Sequence, residues 1–195
     1  MAKHKKKGTW FFIAGGLMLA AALALVLYNR WDSSRAKKAA EQTVVSLQEE
    51  IPQDKKQGVE SPDTEMKTTN VNGIDYIGLI EIPSLNLSLP VASSFSYSKL
   101  RVSPCLYTGS CFSNDMVIAG HDYASHFGSL KWAEEGADVY FTTVDGKVFH
   151  YTVDSKEIYK PTQVQEMISG DWDLTLFTCT ISGRERMALR CVKAD

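Results

Sequence analysis

A chain of 195 residues with 44% hydrophobic content can bury one sizeable core and still carry a tail or linker. Its 21 basic side chains are balanced by 23 acidic ones, for a formal net charge of −2, which excludes the basic excess expected of a nucleic-acid binder. The apolar residues, however, are not spread evenly.

Residues 10–28, WFFIAGGLMLAAALALVLY, contain no charged side chain. At about 1.5 Å per residue such a helix spans roughly 30 Å, the thickness of a bilayer's hydrocarbon core. Trp10, Phe11 and Tyr28 stand at its ends, where aromatic rings favour the membrane boundary. Ala22-Leu23-Ala24 resembles a signal-peptide cleavage site, but more apolar residues follow it and the run exceeds an ordinary signal core. An uncleaved anchor is therefore expected. Lys3, Lys5, Lys6 and Lys7 cluster ahead of the span, which predicts a cytoplasmic N-terminus and an extracellular domain. The expected divisions are a basic tail over 1–9, a transmembrane helix over 10–28, a juxtamembrane helix and polar linker over 29–70, and a folded domain over 71–195.

Within that domain strand signals dominate. YIGLIEI (76–82) alternates ahead of Pro83, and Leu85, Leu87, Leu89 and Val91 share one face of the next strand. DMVIAGH (115–121) is a short apolar run stopped at Gly120. Residues 139–153 predict a hairpin with Asp145-Gly146 in a type I′ turn, and 155–161 a further short strand cut by Pro161. LTLFTCT (174–180) and RMALRCV (186–192) close the domain. Segments 125–136 and 161–170 each allow a short helix. Many short strands with few helices point to an all-β, antiparallel barrel or sandwich.

Four cysteines leave a local Cys105–Cys111 bridge and two buried thiols as alternatives. Cys179 ends an apolar strand, where a side chain reaches the surface; it becomes a nucleophile only with a base or cation nearby. His121, directly after VIAG, occupies the same kind of strand end and is the candidate proton donor, with His126 the competitor. His150 reads as an ordinary sheet residue. Arg186 opens the last strand beside the end of the strand carrying Cys179, and its fixed charge suits an oxyanion or a substrate carbonyl. Arg184 and Arg190 share its parity and remain alternatives, whereas Cys191 has the opposite parity and should pack. The C-x5-C and H-x4-H spacings of Cys105, Cys111, His121 and His126 are not those of zinc knuckles, and no metal is expected.

YIGLIEIPSLNLSLPV, MVIAGHDYASHFGSL, LTLFTC and RMALRC stand in the order and spacing of the sortases, the membrane-anchored cysteine transpeptidases of Gram-positive bacteria, which the chain resembles over about residues 74–192. The resemblance implies a closed eight-stranded β-barrel with one or two short helices. It also implies a thioester mechanism on a C-terminal sorting signal of LPxTG type. Cys179 would be the nucleophile, His121 the acid toward the departing glycine amine, and Arg186 the oxyanion partner. Thr178 and the loop 161–173 would line the substrate groove. The acceptor would be a peptidoglycan-precursor or pilin amine, and no cofactor is implied. A peptidase acting by hydrolysis alone, or a non-catalytic domain that binds wall proteins, are the competing expectations.

Overall fold

The computed structural model describes residues 5–52, 54, 56–58, 65–180 and 183–194, with side chains from Thr9 onward. One helix, α1, runs from Lys5 to Glu50. Its first part, through Arg35, forms one compact unit, and residues from Ala36 onward form a second. In the first unit the apolar residues from Trp10 to Tyr28 are largely exposed, and the segment is long and apolar enough to cross a membrane. At its end Asp32 pairs with Arg35 (3.3 Å), whose guanidinium lies over Trp31.

The second unit includes the remainder of α1, the segment expected as a juxtamembrane helix, and it packs into the folded domain. Ala36, Ala40, Thr43, Leu47 and Ile51 are buried, and Ala40 and Leu47 join two of the domain's hydrophobic clusters. Their spacing is the helical 3–4 repeat, so one stripe of the helix serves as a wall of the core.

Ten strands follow. β1 (Lys56–Gln57) pairs in parallel with the start of β8 (Lys147–Tyr159). β2 (Thr69–Val71) forms a hairpin with β3 (Ile74–Ile82) through Asn72-Gly73, both at positive φ, which a primed two-residue turn requires. A 3-10 turn, Pro83–Leu85, leads to β4 (Leu87–Ala92); a one-turn helix α2 (Tyr97–Leu100) precedes β5 (Cys105–Thr108) and β6 (Met116–Ala119). A second 3-10 segment (Phe127–Trp132) leads to β7 (Asp138–Thr143) and β8; α3 (Val164–Ile168), β9 (Leu174–Cys179) and β10 (Arg186–Lys193) complete the chain.

The pairing order β8–β10–β9–β6–β5–β4–β3 is closed by β7, which bonds both β3 and β8. The result is an eight-stranded mixed barrel without a free edge among β3–β10. Alternation sends Ile80, Ile82, Leu89, Val91, Ile118 and Leu176 inward with Phe141, Phe149 and Leu189, and each full burial contributes about 1.5–3 kcal/mol. Closure is tight where β7 crosses β3. A Cβ on Gly78 would stand 2.1 Å from the Thr142 carbonyl oxygen, so only glycine permits the approach.

Two details differ from expectation. Only Gly146 in the β7–β8 loop has positive φ, so the connection is a three-residue loop and not a type I′ turn; Thr143 Oγ1 donates to Asp145 Oδ1 (2.6 Å) and accepts from Lys147 N (3.0 Å) to hold it. Residues 147–159 form a single strand, and the break expected near Asp154 is a bulge: Arg190 pairs with Ser155 but Cys191 with Val153.

Candidate active site

The site grows from the way three adjacent strands end. In β9, Leu174 and Leu176 point into the barrel, so Thr175, Phe177 and Cys179 point to the other face. β6 lies parallel to β9 with Ala119 beside Phe177, and Gly120 N donates to the Phe177 carbonyl (2.9 Å). Two residues further along each strand's chain stand His121 and Cys179. β10 runs antiparallel on the other side of β9, and its register sets Arg186 directly opposite Cys179. The barrel thus delivers a thiol, an imidazole and a guanidinium to one rim from three chain segments.

Below this rim is a groove of about 220 Å³ that includes Cys179 and Arg186. Its apolar wall is an edge-to-face series in which Phe95 meets Tyr107 (5.4 Å between centroids) and Tyr107 meets Phe177 (5.3 Å). Val164 and Met167 of α3 form the opposing wall. Lys160 and Arg186 are its cationic members, and no carboxylate is among its lining residues. Arg186 is half-buried and its Nη1 donates to the carbonyls of Glu185 (3.1 Å) and Gly183 (3.4 Å), so the guanidinium folds over the turn leading into β10.

Arg190 has a different place. Although it shares the parity of Arg186, it is 1% exposed and fully engaged. Nε donates to Glu157 (2.8 Å), Nη1 to the Met167 carbonyl (2.7 Å) and Thr175 Oγ1 (2.8 Å), and Nη2 to Tyr159 Oη (2.6 Å) and the Glu166 carbonyl (3.1 Å). The planar fork of donors suits such a knot. It fastens α3, and hence the wall of the groove, to β8, β9 and β10. A hydrogen bond from Tyr159, and then one from Arg190, hold the Glu157 carboxyl below its usual range. Arg184 lies on the exposed turn before β10.

Thr178 sits elsewhere than expected. It is buried on the interior face opposite Met187, its hydroxyl has no partner among the described residues, and the groove wall at this level is made by Phe177 and Cys179. All four cysteines are free thiols, so Cys105 and Cys111 are not bridged; they belong to separate hydrophobic clusters. Burial pushes Cys111 and Cys191 up to about 12 and raises Cys105, which leaves these three inert as nucleophiles. His150 hydrogen-bonds Asp138 (2.7 Å) on the outer face of the β7–β8 pair. Among the described residues no group of three or more His, Cys, Asp or Glu side chains is arranged to hold a metal ion.

Around His121 lies a feature that strand patterns do not reveal. The His121 and Tyr123 rings stack, with centroids 4.0 Å apart and planes 3° from parallel. Tyr123 in turn meets the edge of His126 (5.5 Å), which is fully buried. Burial, and then the neighbouring His121, lower His126 to about 4, so it is neutral at pH 7. The H-D-Y spacing alone carries only a weak hint of this stack.

The sortase-domain family model matches residues 80–194 of the chain. The chain belongs to the sortase family. Sortases are cysteine transpeptidases. Solved structures agree on the fold. Sortase C1 from Streptococcus suis is 26% identical with a TM-score of 0.53, over 62% of this chain and 73% of that one. The Clostridium perfringens sortase D5 transpeptidase is 20% identical (TM-score 0.55; 67% and 83% covered), and sortase A from Corynebacterium diphtheriae 21% identical (TM-score 0.54; 84% of each). None of the curated proteins matches the chain.

Proposed function

We propose that this sortase cleaves secreted proteins at a C-terminal sorting signal of LPxTG type and joins them to a cell-wall or pilin amine, with Cys179, His121 and Arg186 as its catalytic residues. The observation that carries this reading is the convergence of the three at one rim of the barrel, above a groove whose floor is apolar and aromatic. An extended peptide would lie along that groove with its apolar residues against Phe95, Tyr107 and Met167.

The Cys179 thiolate would attack the carbonyl carbon of the scissile amide, forming a carbon–sulfur bond and an oxyanion. Arg186, released from the turn carbonyls, offers fixed N–H donors to that oxyanion, a role that low dielectric strengthens. Collapse breaks the C–N bond as the His121 imidazolium gives its proton to the leaving nitrogen. An amide nitrogen leaves only when protonated, so this transfer is obligatory. The incoming amine then attacks the thioester and gives a proton to the neutral imidazole, the carbon–sulfur bond breaks, and the Cys179 thiolate and His121 imidazolium are restored. The helix over residues 10–28 would anchor the enzyme with its N-terminus in the cytoplasm and the domain over 71–195 outside.

A fluorogenic sorting-signal peptide, incubated with and without a candidate amine, tests the reading. Cys179→Ala and His121→Ala should each abolish turnover, and mass spectrometry should find the amine joined to the cleaved peptide. Turnover that persists in Cys179→Ala sinks the nucleophile assignment, and exclusively hydrolysed product in the presence of amine sinks transfer.

A further inference from the structure

We infer that Tyr123 is a positioning residue that holds the His121 imidazole ready to donate its proton. The inference rests on the reading of His121 as the general acid. The two rings lie face to face at 4.0 Å and 3°. Neutral aromatic rings favour offset or edge-on contacts at larger separation, whereas a cation is drawn to the negative face of a phenol ring. Close parallel stacking therefore favours the imidazolium, the form that must be present when the amide nitrogen departs.

The loop that carries the stack is fastened at both ends. The Tyr123 carbonyl accepts from His126 N (2.9 Å) and Gly128 N (3.0 Å), and a Cβ on Gly128 would lie 2.7 Å from that same oxygen. On the other side, a Cβ on Gly120 would meet the Phe127 ring at 2.3 Å, so Phe127 lies flat against the backbone that launches His121. Phe127 and His126 are both fully buried, and His126 presents its ring to Tyr123 at 65°. Tyr123 is thus held from its backbone and by the edge-to-face contact with His126, and its ring stacks on His121. A partly exposed histidine at a strand end would otherwise have several rotamers available.

In the step concerned, the thiolate adds to the carbonyl, the C–N bond breaks, and the imidazolium proton passes to nitrogen, leaving neutral amine and neutral imidazole. Where the scissile bond is a thioester, the acyl group passes to Cys179 and the substrate's sulfur departs as a thiolate, which needs no proton. The test uses the full chain in detergent with two substrates of identical acyl sequence, one with the scissile amide and one with a thioester in its place. Tyr123→Leu is expected to lower kcat on the amide on the order of tenfold, part of the 10²–10⁴ that general acid catalysis supplies, with KM unchanged and thioester turnover within about twofold of wild type. Tyr123→Phe keeps the ring face and should retain both activities. Equal loss on the two substrates, whether from a distorted groove or from misfolding, overturns the inference, as does unchanged amide turnover in Tyr123→Leu. His121→Ala, run alongside, separates the two readings: amide turnover surviving there removes the general acid itself, while its loss beside a fully active Tyr123→Leu removes only the role of Tyr123.

Discussion

Replacing Arg190 with methionine keeps the aliphatic length of the side chain and removes its five hydrogen bonds. Glu157 is 40% exposed, so its carboxylate rehydrates and that ion pair counts for little. Tyr159 is half-buried and also finds water. The Met167 and Glu166 carbonyls and the Thr175 hydroxyl lose the cation that holds them on the outer face of the barrel, beneath α3. At about 1–3 kcal/mol for each orphaned buried acceptor, and allowing for partial hydration, the loss is roughly 4 kcal/mol, in line with breaking one side of a buried charge pair. For a chain of this size that corresponds to a fall in Tm of roughly 8–16 °C. Thermal unfolding of the full chain in detergent, followed by circular dichroism of the barrel, measures it. Because Val164 and Met167 lose their tether, KM for the sorting-signal peptide should also rise. An Arg190→Met protein that melts within about 2 °C of wild type would refute the clamp and the energetics behind it.

Arg186→Ala should behave in the opposite way: the bonds of its guanidinium go to an exposed turn, so stability should stay within about 0.5 kcal/mol while turnover falls on the order of 10²–10³-fold. Brief iodoacetamide treatment of the native protein near neutral pH, read by mass spectrometry, should label Cys179 alone, with Cys105, Cys111 and Cys191 modified only after unfolding; labelling of Cys111 in the native state would contradict its burial. His126 has a folded pKa lowered from 6.5 to about 4, so the unfolded chain binds more protons between those values. Its contribution is therefore fully present above pH 6.5 and is lost as pH falls toward 4, by about 3 kcal/mol, and urea titrations across that range should show a shallower dependence in His126→Leu. Glu157, also lowered, adds a loss at still lower pH as its carboxyl protonates, and Glu157→Gln should remove that component.

The parts of the site legible in the sequence are those set by strand alternation. Phe177 and Cys179 share a face because they are two residues apart, and the return of β10 brings Arg186 opposite the thiol for the same reason. The long apolar helix is legible from the absence of charge over residues 10–28. Alternation fails where tertiary contacts override it. Thr178 was expected in the groove as a neighbour of Cys179, yet adjacency in a strand means the opposite face. Arg190 has the parity of a surface charge, but its partners come from α3, β8 and β9, three segments that no local pattern connects. The Asp154 bulge resembles a strand end because the inserted residue interrupts the period of two. β5 escaped notice because CLYT is short and lies between turn-forming residues.

The parallel ladder between β6 and β9 also governs when this enzyme becomes an enzyme. Ala119 and Phe177 are neighbours in the barrel, but residues 120–176, including the whole β7–β8 hairpin, lie between them in the chain. Non-local pairings of this kind form slowly, because chain closure comes before the contacts that reward it. The segments that carry His121 and Cys179 therefore come together only once β6 and β9 have paired. In refolding, recovery of catalysis should follow the slowest barrel-forming phase and lag behind the appearance of β-structure. A partly folded chain would then hold an incomplete site until the barrel is closed.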